Sequence, residues 1–157
     1  MIILVAEIFH AALFKCVPVR AGIALGEFCF NLDKSMYAGP ALIDAYRVGE
    51  SAQWLGITLS ESVHGMATSL GMKSNGKDVI TGWPVPLKNS ERPGFVVNWP
   101  VIFAHDLKVK PPVSVHQFYM AFEQAFGCFD ALEPAVQSKY KNTVRFMNKQ
   151  LKLYSEV

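Results

Sequence analysis

The stretch VPVRAGIALGE (residues 17–27) decides the fold of this chain. Apolar residues alternate with arginine, proline and small residues along 17–25, and a period of two is typical of a β-strand. Gly22 and Gly26 leave bare backbone on one face of that strand, which lets another backbone or a ligand approach closely. Close packing inside the domain is the favoured interpretation of these glycines.

A second strand follows the first and leads into a helix. Phe28, Phe30 and Leu32 continue the alternation after a turn or bend at Gly26 and Glu27. The next stretch, YAGPALIDAYRVGE, contains a glycine that breaks the strand and then a proline that suits the first position of a helix.

That helix carries a short apolar stripe, and Arg47 lies away from it. At about 100° per residue, Arg47 falls nearly opposite Ala45 and Gly49. The side chain has two interpretations. It is either a solvated arginine paired with Asp44 or Glu50, each three residues away, or an arginine directed at something outside this chain. The stripe consists of Ala41, Leu42, Ala45 and Val48.

Periodicity and turn residues place the remaining elements. We predict strands over 54–60, 82–88 and 95–103, and helices from an N-cap at Ser60 to about Leu70 and over 2–15, 115–129 and 133–153. This order predicts an α/β (α+β) fold, with a mostly antiparallel sheet and helices packed on one face. We expect residues 1–106 to form one unit and 107–157 a C-terminal helical extension packed on it.

Composition excludes several classes of protein. The 157 residues are 51% hydrophobic and 18% charged, with a formal net charge of +2 and no long run of Lys or Arg. This argues against partners such as nucleic acid or an anionic membrane surface. Three widely spaced cysteines argue against a disulfide framework or a zinc site, and favour a reducing, cytoplasmic location.

The apolar N-terminal run MIILVAEIFHAALFK (1–15) is read as a buried helix. Glu7 and His10 interrupt it, and it is shorter than the ~20 residues that a membrane span needs. It begins without an N-cap residue, and we therefore expect the complete fold to begin upstream of Met1.

Taken together, these motifs resemble the second half of a class III nucleotidyl cyclase homology domain, over about residues 3 to 100. The segments GPALIDAY and KYKNTVRF are similar to a branch of uncharacterised bacterial cyclase-like proteins. The pattern R-x-G-I-x-x-G-E, a helix arginine and a strand ending near a serine carry the resemblance, at Arg20, Gly22, Ile23, Gly26, Glu27, Arg47 and Ser60.

The resemblance implies a partial ferredoxin-like fold, a head-to-tail homodimer, and cyclisation of a nucleoside triphosphate with Mg or Mn held by two aspartates. It implies that Arg47 is the catalytic residue that stabilises charge on the transferring phosphoryl group. Lys88 takes the position that contacts the outer phosphates. The purine-reading aspartate aligns near Met36, and Asp33 is the nearby residue that would restore a carboxylate. A lysine beside a turn on an edge strand also serves to prevent edge pairing, so Lys88 keeps that second interpretation.

Two departures from the family pattern concern groups that catalysis requires. The metal-binding aspartates of the family lie on elements that precede the first helix of this chain, and no metal ligand is assigned here. The family's helix asparagine aligns with Ile43, which has no hydrogen-bond donor. We therefore expect a cyclase-like domain that is catalytically incomplete as given. The alternative is a non-catalytic nucleotide-binding or dimerisation domain.

Overall fold

The computed structural model describes residues 1–74, 76–107 and 110–155, apart from the side chains of four residues in the helix at 61–70. Its strands are β1 (Ala21–Ile23), β2 (Cys29–Asn31), β3 (Met36–Ala38), β4 (Ile57–Leu59), β5 (Lys73–Ser74), β6 (Lys77–Asp78), β7 (Ile80–Pro86) and β8 (Glu91–Val97). Its helices are α1 (Ile2–Phe14), α2 (Pro40–Ser51), α3 (Glu61–Leu70), α4 (Trp99–Ile102), α5 (Ala104–Leu107), α6 (Val115–Tyr119), α7 (Glu123–Phe126) and α8 (Pro134–Ser155), with a 3₁₀ turn at Phe129–Ala131.

A four-stranded sheet in the order β1-β4-β8-β7 lies at the centre. The β1–β4 pair is parallel, and the β4–β8 and β7–β8 pairs are antiparallel. The two remaining sheets, β2–β3 and β5–β6, are antiparallel hairpins. The predicted α+β class with a mostly antiparallel sheet is confirmed.

The parallel pair depends on a close approach between α2 and β1. A Cβ atom on Gly22 would lie 1.9 Å from the carbonyl oxygen of Ala45, and one on Gly49 would lie 2.9 Å from the amide nitrogen of Gly22. Real side-chain carbons do not come so close to backbone atoms. Gly22 therefore serves close packing inside the domain, as its position in the sequence predicted.

The helices α2 and α8 cover the same face of the sheet. Gly22, Thr58 and Val96 are paired across neighbouring strands, so they share one face, and Gly22 lies against α2. Trp83 of β7 belongs to that face by register, and its ring centroid lies 5.0 Å from that of Phe146 in α8. This bears out the predicted packing of helices on one face.

The core joins the C-terminal helix to the rest of the chain. Phe146 is fully buried and makes an edge-on contact with the buried ring of Trp54, at 4.9 Å between centroids. The hydroxyl of Thr143 accepts the backbone N–H of Leu55 at 2.7 Å. The amide of Asn142 donates to the carbonyl oxygen of Gln53 at 2.8 Å. Residues 110–155 thus share one hydrophobic core with the preceding elements.

Several of the sequence-based boundaries were wrong. The strand predicted over 17–25 covers only Ala21–Ile23, and the one predicted over 54–60 covers only Ile57–Leu59. The strand predicted over 95–103 ends at Val97, and α4 begins at Trp99 because Pro100 has no N–H for a strand ladder and fits an early helical position. The helix predicted over 115–129 is divided into α6 and α7. Gly127, at φ +82°, follows the end of α7 and precedes the 3₁₀ turn.

The second predicted strand forms, but it does not join the main sheet. As β2 it pairs only with β3, and every residue of both strands is exposed. Among the described residues, no helix is long and apolar enough to cross a membrane.

Candidate functional site

Helix α2 presents Arg47 to solvent. Its inner side buries Val48 and Gly49, whereas Ile43 and Tyr46 on its outer side are 51% and 68% exposed. Arg47 is exposed beside them. The helix begins at Pro40, as predicted, after Gly39 at φ +140°. The sequence therefore set the start of the helix and the outward direction of Arg47.

Arg47 is not paired with the neighbouring carboxylates. The Arg20 guanidinium forms an ion pair with Glu50 and also donates to the carbonyl oxygen of Ala52 at 3.1 Å. In the described part of the chain, no hydrogen bond or ion pair joins Arg47 to Asp44 or to any other group. This weakens the interpretation of Arg47 as a locally paired surface residue.

Arg47 lines an open cleft of ≈ 450 Å³, which we name the polar cleft. Two arginines and two carboxylates contribute to it, so their formal charges cancel. Its lining residues are Asp44, Arg47, Val48, Ser51, Ser60, Glu61, Ser62 and Arg92.

Two serine hydroxyls in the lining of the polar cleft, those of Ser60 and Ser62, form hydrogen bonds. Ser60 is the N-cap residue of α3, as predicted, although its side chain makes no capping hydrogen bond. Its hydroxyl instead lies 2.6 Å from the Ser62 hydroxyl, and Ser62 accepts the backbone N–H of Leu25 at 3.0 Å. These bonds connect the start of α3 to the segment after β1.

Sequence reasoning missed Arg92. The stretch NSERPG (89–94) lies between the strands predicted over 82–88 and 95–103, but β8 already begins at Glu91, and Arg92 pairs with Val85 inside the hairpin. Arg92 is exposed, and within the described ranges its guanidinium takes part in no hydrogen bond or ion pair. A predicted strand that began four residues earlier, at Glu91, would have included it.

A second cleft of ≈ 690 Å³, the apolar cleft, adjoins the first. Leu59 and Gly82 both pair with Phe95, and Pro84 pairs with Pro93, so these residues share one face of the sheet. They alternate with the residues that face α8 and therefore lie on the opposite face. Trp83, Arg92 and Gly94 also line the cleft but belong by register to the α8 face, so the cleft extends around the edge of β8 where β4 no longer pairs with it. The lining residues are Leu59, Ser60, Glu61, Gly82, Trp83, Pro84, Arg92, Pro93, Gly94 and Phe95.

The other two candidate residues lie outside the polar cleft. Lys88 is exposed in the turn between β7 and β8, where the Leu87 N–H donates to the Ser90 carbonyl oxygen at 2.8 Å. Asp33 is exposed in the turn between β2 and β3. Neither residue lines the cleft that contains Arg47.

The described residues contain no group of three or more His, Cys, Asp or Glu side chains arranged to hold a metal ion. Asp44 and Glu61 are the carboxylates of the polar cleft. They do not match the two-metal site that the cyclase resemblance implies, and we derive no metal-dependent step from them.

The perturbed titratable groups lie elsewhere, in an aromatic cluster beside α8. Burial raises the pKa of Tyr140 to about 12, and the nearby Tyr119 adds to the shift. Burial also raises the pKa of Tyr119, whose hydroxyl donates to the Gly127 carbonyl oxygen at 3.0 Å. This cluster stabilises the fold and does not line either cleft.

Comparison with protein-family models, curated proteins and solved structures gives no match to this chain. Any assignment of function therefore depends on the residues of this sequence and on the geometry of the two clefts.

Proposed function

We propose that this chain is a nucleotidyl cyclase-like domain that binds a nucleoside triphosphate through Arg47 and does not cyclise it by itself. The observation that carries the proposal is the guanidinium of Arg47, exposed and unpaired in the part of the chain that the structure describes. It is exposed in a cleft, and among the described residues no carboxylate forms an ion pair with it. A guanidinium in this state is suited to bind phosphate oxygens in a bidentate manner.

The order of the elements supports the same proposal. A strand that follows Arg20, a helix that carries Arg47 and a parallel strand that ends before Ser60 occur in the order that the resemblance implies. Gly22 occupies the close contact between that strand and that helix. The sequence pattern is therefore linked to a structural requirement and not only to spacing.

Ile43 is the reason to expect binding without turnover. It lies one turn before Arg47, is 51% exposed, and occupies the position at which the cyclase pattern has asparagine. An isoleucine cannot donate a hydrogen bond to a developing negative charge. The loss of one such donor costs roughly 100- to 1,000-fold in turnover in enzymes that depend on it.

Nucleotide binding is tested by calorimetric titration of the 157-residue protein with ATP, GTP, CTP and UTP. We expect at least one of them to bind, with an affinity about tenfold lower in Arg47→Gln because a charged contact is lost. The matched control is Lys149→Gln, which removes one positive charge from the exposed side of α8. No binding of any nucleotide, or equal loss in both variants, would contradict the proposal.

Turnover is tested by incubating the protein with each nucleotide and Mn²⁺ and measuring cyclic product. We expect none. A cyclic product that disappears in Arg47→Ala would show that the domain is catalytically complete.

Homodimerisation is the second candidate function. The outer side of α2 exposes Leu42, Ile43 and Tyr46 next to Arg47, and exposed apolar residues in a group are typical of a surface that a partner covers. We propose that a second copy contacts this side and the β7–β8 hairpin. Light scattering should give a dimer mass that falls to the monomer value in Tyr46→Glu; a monomer at high concentration would contradict this.

A further inference from the structure

We propose that the polar and apolar clefts form one ligand site, in which Arg92 is a second phosphate contact and the apolar cleft receives the base. This deepens the proposed function and rests on it. The two clefts are both lined by Ser60, Glu61 and Arg92. Arg92 therefore lies at their junction.

The charges that line the polar cleft indicate that phosphate contacts alone would bind a ligand weakly. Arg47 and Arg92 are accompanied by Asp44 and Glu61, so the lining has no net formal charge. A bare polyphosphate would gain attraction from the guanidiniums and lose part of it to the carboxylates. A ligand that also buries an apolar group would bind more tightly than its charge alone permits.

The apolar cleft has the surface that a heterocyclic base requires. Of its lining residues, Leu59 is 4% exposed, its cross-strand partner Phe95 is half-buried, and Pro84 and Pro93 are exposed. Planar bases gain free energy from contact with aromatic and apolar groups regardless of their identity. A volume of ≈ 690 Å³ lies within the range of small-molecule sites.

Gly82 offers a way to fill the apolar cleft without disturbing the fold. It pairs with Phe95 and lines this cleft. A Cβ atom on Gly82 would meet no other atom within 4 Å. A leucine at this position would therefore occupy the space proposed for the base, while an alanine would leave most of that space open.

The experiment compares a nucleoside triphosphate with inorganic tripolyphosphate by calorimetry. We expect the triphosphate to bind wild type about tenfold more tightly than tripolyphosphate, because it fills both clefts. Gly82→Leu should reduce triphosphate affinity to the tripolyphosphate level and leave tripolyphosphate binding unchanged, with Gly82→Ala as the control. Arg92→Gln should weaken both ligands about tenfold, while Lys149→Gln should weaken neither.

The outcomes separate this inference from the proposed function. Equal binding of the two ligands, or a nucleotide affinity that Gly82→Leu does not change, overturns the proposed base site while Arg47-dependent binding stands. If Arg92→Gln leaves the affinity for both ligands unchanged while Lys88→Gln lowers it, the role of Arg92 is overturned. That result would favour Lys88, the phosphate contact that the cyclase resemblance implies. Absence of all binding overturns both proposals.

Discussion

Two aromatic regions of this protein have similar composition but opposite environments. Under α8, the rings of Trp54 and Trp83 each contact the ring of Phe146; Trp54 and Phe146 lie in the core, and Trp83 packs against it. In the β2–β3 hairpin, the rings of Phe28 and Phe30 stack with centroids 6.3 Å apart, yet both side chains are about half or more exposed. The difference is the covering helix, since a strand buries its apolar face only where another element lies over it.

Substitution of one phenylalanine in each region should give the largest difference in the free energy of unfolding. Phe146→Ala should lower the free energy of unfolding by about 3–5 kcal/mol, because it removes a fully buried ring. Phe30→Ala, at 61% exposure, should change it by about 0.5 kcal/mol or less. Urea denaturation followed by tryptophan fluorescence measures both. Equal losses would show that the hairpin is covered in solution.

Glycine substitutions sharpen the comparison between packed and open parts of the sheet. Gly22→Ala places a carbon against the backbone of α2 and should destabilise the protein by about 1–3 kcal/mol. Gly82→Ala meets open space and should be neutral or stabilising by a few tenths of a kcal/mol. Thermal unfolding of the two variants measures this. A tolerated alanine at position 22 would contradict the close contact of β1 and α2.

The aromatic cluster beside α8 predicts a loss of stability in alkali. Tyr140 keeps its proton up to about pH 12 when folded, whereas the unfolded chain loses it near the ordinary value of 10.0. Because the unfolded state releases this proton first, the free energy of unfolding falls as pH rises from 10 to 12, by on the order of 2 kcal/mol.

Urea midpoints at pH 9 and pH 11.5 measure that loss. Tyr140→Phe should show a smaller fall than wild type, with part of the fall remaining because burial also raises the pKa of Tyr119. An identical fall in the two proteins would place the titration elsewhere.

Substitutions at two helix N-caps should give the smallest difference in the free energy of unfolding. The hydroxyl of Ser114 accepts the N–H of Gln117, and the Gln117 side chain accepts the N–H of Ser114, so both halves of a capping box are present. Ser60 makes no capping bond. Ser114→Ala should therefore cost about 1 kcal/mol and Ser60→Ala less than half of that, by urea denaturation. A larger loss at position 60 would contradict this assignment of caps.

Local signals in the sequence predicted much of the fold. Pro40 marked the first residue of α2 and Ser60 the N-cap of α3, which ends at the predicted Leu70 before Gly71 at φ +49°. Each of these residues acts through its own backbone geometry, so its effect is readable without the rest of the chain. The alternation around Gly22 likewise placed β1.

Sequence reasoning could not place features that depend on distant partners. Alternation at Phe28 and Phe30 predicts a strand but does not say which strand it joins. The end of β8 depended on Pro100, two residues beyond Asn98. Within the candidate site, the direction of Arg47 was predicted, but the cleft also contains Arg92, and only the register of the β7–β8 hairpin brings that residue to the cleft.

The ion pair between Arg20 and Glu50 means that a residue outside the cleft decides whether Arg47 is free of an ion pair with Glu50. With Arg20 present, Glu50 is occupied, and the guanidinium one turn away on α2 stays available. An uncharged residue at position 20 would release that carboxylate to its helix neighbour three positions away. Positions 20 and 47 are thus coupled through Glu50, and the effect of a substitution at Arg47 will depend on which residue occupies position 20.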